Sequence, residues 1–408
     1  MKPEPRAARS EEAFPRGFRS AATACGLKKK KALDLALMSC DAPASAAAVF
    51  TTNLVKAAPV LVSQENLRRT HGRARAIVVN SGNANCCTGE AGMRAARATA
   101  RAVAWQLGCR PEEIIVCSTG VIGVPLPVRR ILGVIPQIVS QQSPHQSSFA
   151  RVSRAIMTTD TRPKFSTGVC RIGHRTVRIA GCAKGAGMIH PQMATMLSFI
   201  LTDAAISPAL LHRALRDAVR DTFNSITVDG DTSTNDTVAV LANGTSGAPP
   251  LRAGSAEYRR FARALAAVCR ELALKIVGDG EGAQHVVEVE VRGASDRRAA
   301  DRVARTIAHS PLVKTALAGA DPNWGRILAA TGRAGVAFDP ARASITLAGI
   351  PVFRRGRPIA FDERKTHALL LKRRISIRID LGAGRGRASV FTCDLTAEYV
   401  RINADYRS

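Results

Sequence analysis

The chemistry of this chain is best sought around one threonine. The segment Lys184-Gly-Ala-Gly-Met-Ile-His-Pro-Gln-Met-Ala-Thr-Met-Leu-Ser-Phe-Ile200 carries a glycine-rich turn and a proline up to Thr195, at the edge of an apolar run of the kind that becomes a buried strand. The small Ala194 precedes it. That setting suits an autocatalytic break: the hydroxyl attacks the Ala194 carbonyl, and hydrolysis of the ester leaves Thr195 as a new N-terminus. A freed threonine carries nucleophile and base on one residue, because an α-amine has a pKa near ~8. Local composition alone reads equally as a flexible loop entering a core strand.

Four further groups of residues have the right types for chemistry. Ser118-Thr119-Gly120 follows a strand and offers a hydroxyl and a backbone N–H together, suited to a developing oxyanion or to a plain tight turn. Asp279-Gly-Glu281-Gly sets a carboxylate between glycines, able to meet an ammonium or simply to end a helix. Val228-Asp-Gly-Asp-Thr-Ser-Thr-Asn235-Asp236 is acidic but lacks calcium-loop spacing, so it reads as a hydrogen-bonded turn network, as does Asn80-Ser-Gly-Asn-Ala-Asn85. The strand-like C-terminus, Tyr399 to Ser408, suggests a docked tail that closes a pocket with Asn403 and the last residue, or docks only for packing.

Residue pattern predicts the strands and helices that carry these groups. Strands are expected at Ala76–Asn80, Glu113–Cys117, Arg175–Ala180 and His285–Val291, the last with valines alternating against glutamates. Gly92–Leu107 reads as an alanine-rich helix with Met93, Ala96, Ala100, Val103 and Leu107 on one face. Ser207-Pro208 reads as a capped helix start running to about Phe223, followed by strand and turn over Ser225–Asp231. Helices are also expected over Ser255–Val277 and about Asp296–Ala308. The final ~65 residues read mainly as strands, at Ser344–Leu347, Ile375–Ile379 and Ala388–Phe391. Interleaved strands and helices make a mixed α/β chain.

Composition limits the rest. With 408 residues, 46% of them hydrophobic, the chain supports two or three domains and a large core. Only 4% is aromatic, so that core is aliphatic and alanine-rich. No apolar run reaches the ~18 residues of a membrane helix, and Met1–Arg19 lacks the apolar stretch of a secretory signal, so a cytoplasmic protein is expected, with residues 1–13 as a frayed tail. None of the ten cysteines forms a CxxC pair, so no metal site is expected, and adjacent Cys86-Cys87 reads as packing rather than reactivity. The net charge of +27 invites nucleic acid, but arginine far outnumbers lysine alongside heavy alanine use, as coding bias produces, and no nucleic-acid-binding signature accompanies it. No nucleic-acid or membrane partner is expected, and the field still attracts small anions.

Taken together, and in this order, the segments resemble the glutamate N-acetyltransferase/ornithine acetyltransferase (ArgJ) family. The resemblance rests on Phe50-Thr-Thr-Asn-Leu-Val-Lys-Ala-Ala-Pro59, Val79–Asn85, Ser118–Gly123, Met157-Thr-Thr-Asp-Thr161, Lys184–Thr195, Thr227–Asp236, Asp279–Gly282, Gly319-Ala-Asp-Pro-Asn-Trp-Gly-Arg326 and Arg401–Tyr406. It implies an αββα sandwich like that of amino-terminal-nucleophile hydrolases, with a smaller C-terminal α/β domain. It also implies self-cleavage into an α chain, residues 14–194 after the tail, and a β chain, 195–408, held as an α2β2 assembly. The implied reaction is ping-pong transfer of acetyl from N-acetylornithine to glutamate in arginine biosynthesis. No cofactor is implied, and acetyl-CoA as a co-substrate stays open.

Position by position, Thr195 corresponds to the nucleophile and Thr119 and Gly120 to the oxyanion hole, with Thr158, Lys184, Thr195, Glu281, Asn403 and Ser408 at substrate-binding positions. The chain departs from the family's usual residues at Ala186, His190, Gln192 and Val124. An amino-terminal-nucleophile hydrolase or aminopeptidase, and a paralogue in specialised metabolism, remain alternatives.

Overall fold

A computed structural model describes residues 14–29, 32–190 and 196–405. The expected tail 1–13, the scissile pair Ala194 and Thr195, Gln192 and Ser408 lie outside the described residues. In chain order the elements of the first half are β1 (Phe18–Thr23), β2 (Leu35–Phe50), α1 (Ala58–Arg69), β3 (Arg73–Asn83), α2 (Gly89–Leu107), β4 (Ile114–Val121), α3 (Val128–Ser140), α4 (Gln146–Ala155), β5 (Lys164–Ile172) and β6 (Arg175–Lys184). There follow β7 (Leu197–Thr202), α5 (Pro208–Arg220), β8 (Thr237–Ala242), α6 (Ala256–Val277), β9 (Val286–Ala294), α7 (Arg297–Ala308), α8 (Pro311–Ala318), α9 (Trp324–Gly332), β10 (Ser344–Leu347), β11 (Ile350–Arg354) and β12 (Arg357–Pro358). The chain closes with α10 (Glu363–Leu370), β13 (Arg374–Asp380), β14 (Gly386–Cys393) and α11 (Ala397–Asp405).

Strand alternation builds the first unit. On β2, β3 and β4 one set of side chains (Ala36, Met38, Ile77, Val79, Ile115, Cys117) meets a matching set from β6, β7 and β8 (Ala180, Cys182, Leu197, Phe199, Leu201, Ala239, Leu241) in a single inner core. The opposite set (Leu35, Leu37, Ala76, Val78, Ile114, Val116) faces helices α2 and α3. Ile179, Ile200, Val238 and Val240 face α5 and α6. The result is helix, strand, strand, helix: the αββα arrangement, since strands must bury both faces to be this apolar. The two strand layers are halves of one hydrogen-bonded sheet, in the order β4-β3-β2-β8-β7-β6-β5, with β1 beside β2. The sixteen-residue β2 belongs to both halves: it pairs β3 from Leu35 to Ser45, with a register shift between Ser39 and Ala44, and β8 from Ser45 to Phe50.

The second unit is a six-stranded sheet, β12-β11-β10-β13-β9-β14, with its own core. Val287, Val289 and Val291 of β9 turn inward to Val303 and Ile307 of α7, as the alternation predicts. Glu290, on the other face, pairs with Arg292 and Arg378 at 2.5 and 2.7 Å.

Three expectations need correction. Helix α5 stops at Arg220 rather than near Phe223, because the Thr222 and Ser225 hydroxyls donate to the carbonyls of Ala218 and Arg220 and satisfy its end. Ser225–Asp231 is no strand; a short 3₁₀ turn leads into one isolated bridge between Ile226 and Phe391. The C-terminal run is helix α11, not strand, stapled by Glu398–Arg401 at 2.7 Å, and α10 also interrupts the expected strands.

Candidate functional site

One end of the sandwich gathers the residues that sequence singled out. Strands β4 and β6 end there, and β7 and β8 begin there. Thr119, Gly120, Thr158, Lys184, Glu281 and Asn403, spread over almost 300 positions, line a single cavity with Ala84, Ile122, Gly187, Met188, Ser233, Thr234 and Asn235. Thr119 and Gly120 lie among the last three residues of β4, in one layer. Lys184 is the final residue of β6, in the other layer. Glu281 stands on the loop between α6 and β9, and Asn403 on α11.

Two glycines permit the approach. Gly120 sits at φ +133° against Gly82, where a Cβ would meet backbone at 2.4 Å, so any side chain there would break the β3–β4 contact. A Cβ on Gly187 would meet the Glu281 carboxylate at 2.4 to 2.6 Å. The Glu281 N–H donates to the Ala186 carbonyl at 3.0 Å, so this loop and the Lys184 loop are knitted together.

Polar side chains clamp the layers. The Asn235 amide donates to the carbonyls of Ala84 and Ser118 at 2.7 and 2.9 Å, bridging the segment before β8 to β3 and β4. Lys184 reaches across to the Thr119 hydroxyl at 3.4 Å. The Asn403 amide donates to Glu281 Oε2 at 2.7 Å and so brings α11 over the cavity.

Charge is concentrated behind this wall. Lys164, the first residue of β5, is 2% exposed and holds Asp160 at 2.5 Å and Asp279 at 2.6 Å. Asp160 also accepts the N–H of Gly185 at 2.7 Å and of Thr158 at 3.0 Å, so one carboxylate fixes the backbone beside two cavity residues. Burial alone would raise Asp160, but Lys184, Lys164 and the Gly185 N–H outweigh it and hold the carboxyl down at about 2. Burial draws the Lys184 ammonium below the ordinary lysine range, against the pull of Asp160, Asp236 and Glu281. Asp236 is driven well above the usual carboxylate range, first by burial; its Oδ1 accepts the Met196 N–H at 2.9 Å, and its Oδ2 has no hydrogen-bond partner among the described residues.

Asp229 accepts the N–H groups of Met188 and Ile189 at 2.5 and 2.8 Å and the Tyr399 hydroxyl at 3.3 Å. The acidic segment 228–236 is thus the hydrogen-bonded network its composition suggests, and it also lines the cavity, which composition does not reveal. The 157–161 motif alone gives Asp160 no role, and Lys164 stands outside every motif. The available signal was an Asp–Lys pair four apart beside an aspartate-bearing glycine loop, which becomes informative only once the three segments are brought together.

Several quieter readings also find their place. All ten cysteines are free; seven are buried, Cys109 and Cys170 are partly exposed, and Cys87 is exposed. Cys86 packs with Ala57, Val60 and Ala84, as expected, whereas Cys87 does not pack. His190 lies outside the cavity lining, its ring 4.7 Å from that of His309. Among the described residues no group of three or more His, Cys, Asp or Glu side chains could hold a metal ion, and no helix is long and apolar enough to cross a membrane.

A profile of the ArgJ family matches residues 19–408. The chain is 50% identical over 396 residues to "Arginine biosynthesis bifunctional protein ArgJ" of Symbiobacterium thermophilum, covering 97% of this chain and 98% of that one. It is likewise 50% identical over 394 residues to the protein of the same name from Geobacter sulfurreducens, covering 96% and 99%. Among solved structures, an arginine biosynthesis bifunctional protein ArgJ from Bacillus halodurans superposes with a TM-score of 0.51 at 43% identity, over 52% of this chain and all of that one.

Proposed function

The chain belongs to the ArgJ family, and from that premise we propose that it is an amino-acid acetyltransferase of arginine biosynthesis, moving acetyl from N-acetylornithine to glutamate. The observation that carries this reading is the convergence of a buried ammonium, an exposed-to-cavity carboxylate and a hydroxyl–amide pair on one small cavity. Two amino acids that occupy one pocket in turn need both signs of charge. Lys184 takes the α-carboxylate common to both. Glu281 takes the ornithine side-chain ammonium, displacing the Asn403 amide from its Oε2.

The acetyl carbonyl then lies against Thr119 and Gly120, whose hydroxyl and N–H receive the developing negative charge; one such donor is worth about 3 kcal/mol in the transition state. Thr195 supplies the nucleophile, one peptide bond before Met196, whose N–H Asp236 holds. Its freed α-amine takes the hydroxyl proton, ornithine leaves, and glutamate accepts the acetyl group from the threonine ester. The hydrogen-bonded sheet favours retention of both pieces after a cut at Ala194-Thr195. β6 pairs with β7 from Ile179–Thr202 to Lys184–Leu197, and β2 pairs with β8, so strands from either side of the bond are interleaved.

The deciding experiment combines N-acetylornithine, labelled glutamate and the purified protein. N-acetylglutamate and ornithine should appear in equal amounts. Acetate accumulating without N-acetylglutamate would instead make the protein an amino-terminal-nucleophile hydrolase. Intact mass should give two fragments, the second beginning at Thr195 and gaining one acetyl group when only the donor is present. An uncut active chain overturns the mechanism. Replacing the donor by acetyl-CoA in the same assay decides whether the chain also makes N-acetylglutamate afresh.

A further inference from the structure

Cys86 and Cys87 are neighbours in the chain with their Sγ atoms 3.6 Å apart, and Cys86 packs against the cavity-lining Ala84 and Ile122. Cys87 is exposed and Cys86 is buried. Two ordinary fates of paired thiols can be compared on geometry. Disulfides usually have Cα atoms ~4.4–6.8 Å apart, whereas neighbours across a trans peptide lie ~3.8 Å apart, and no peptide bond among the described residues is cis, so a bond between these two closes a strained ring. Two sulfurs bound at ~2.3 Å to one thiophilic centre are held ~3.8 Å apart by a tetrahedral angle, and a few tenths of an ångström less by the narrower angle of a pyramidal centre, a range that includes the separation here. Cys87 adopts φ +57°, which helps bring the second sulfur round to the first.

We infer that Cys86 and Cys87 form a bidentate thiol site for soft, thiophilic centres of the trivalent-arsenic and cadmium class, and that occupancy of the site deforms the neighbouring pocket. Soft thiolate ligands select such centres over hard cations. With an organoarsenic oxide the step is balanced: two thiols and one As=O give two As–S bonds and one water, with no change of oxidation state. Cys87 is exposed and Cys86 buried, so Cys87 meets the reagent first and Cys86 closes the chelate.

The consequence for the pocket follows from what Cys86 touches. It packs in a small cluster with Ala57, Val60, Ala84 and the partly buried Ile122, and Ala84 and Ile122 both line the cavity. Its carbonyl accepts the Gly123 N–H at 3.0 Å, which ties it to the turn after Gly120. An atom added to the Cys86 sulfur is new bulk in a close-packed cluster, so the wall must yield.

The test treats the full chain with phenylarsine oxide and reads intact mass and acetyl transfer separately. Only the inhibitory half rests on the acetyl-transfer reading, since the adduct is weighed whether or not the protein is active. One phenylarsenic group should attach at stoichiometric reagent, transfer should fall by about tenfold or more, and a dithiol but not a monothiol should reverse both. Cys87→Ser, at an exposed position, should abolish the stable adduct and the inhibition while keeping untreated activity, and Cys86→Ala should abolish the stable adduct by intact mass. An equally stable adduct on Cys87→Ser, or release by a monothiol, overturns the site. A full adduct with undiminished transfer overturns its link to the pocket.

Discussion

Glu281 is the residue at which the two proposed substrates differ most. In the proposed reaction it would meet an ammonium in one half-reaction and a carboxylate-bearing side chain in the other. Glu281→Gln keeps the shape and the contact with Asn403 but removes the charge. A charge-assisted hydrogen bond is worth about 1.5–3 kcal/mol, so kcat/KM for N-acetylornithine should fall by about tenfold or more, and that for glutamate should fall less. Equal losses in the two half-reactions would assign Glu281 a purely structural part. Gly187 tests the same place from the other side. Gly187→Ala sets a methyl group 2.4 Å from the Glu281 carboxylate, so transfer should drop several-fold with the thermal midpoint little changed. At this scale the sequence was informative about type and silent about company. Thr119, Gly120 and Glu281 could each be read as turn residues, because nothing in a local window says that a turn from one sheet layer will face a loop beyond a distant helix.

The elements carry a different kind of dependence, because the site hangs on a buried ion cluster that joins three of their ends. Lys164 at the start of β5 holds the 158–162 segment through Asp160 and the α6–β9 loop through Asp279. Lys164→Met removes the cation that the buried Asp160 and Asp279 share and should cost about 3–5 kcal/mol, read as a lower urea midpoint. Asp160 adds a pH signature. Its carboxyl is held at about 2, below the ordinary 3.8, so the stability it contributes is present above 3.8 and is lost as pH falls through about 2. The urea midpoint of the wild type should therefore approach that of Asp160→Asn across that interval and stay apart from it above. Parallel curves would remove Asp160 from the acid limb. Elements with a local cause were legible: Ser207, Ser255 and Asp296 cap the helices they were expected to open, and the valines of β9 alternate inward. Ser225–Asp231 and the C-terminal run were misread because β-type residues there are recruited by hydroxyl caps and by ion pairs along a helix, and tertiary context overrides propensity.

On the scale of the whole molecule, what stayed hidden in the sequence was the way the layers join. The mixed α/β class follows from interleaved patterns, but β2 was not foreseen as one strand serving two layers. Its alanine-rich stretch gives little alternation to read, and its partners β3 and β8 lie far apart in the chain. Net charge, by contrast, is open to direct reading, and at +27 it makes the molecule's long-range field positive. Near neutral pH glutamate carries one net negative charge, whereas the α-carboxylate and side-chain ammonium of N-acetylornithine cancel. The field should therefore draw in glutamate and leave the donor nearly unaffected. Raising salt from about 0.01 to 0.15 M shortens the screening length from ~30 to ~8 Å, which removes the long-range pull and leaves the proposed short contacts at Lys184 and Glu281 largely in place. In a ping-pong reaction kcat/KM for each substrate reports its own half-reaction, so the two effects separate in one data set. Glutamate should lose on the order of threefold in kcat/KM over that range while N-acetylornithine changes by much less. A matched decline for both would locate the salt sensitivity in the pocket's own ion pairs rather than in the field around it.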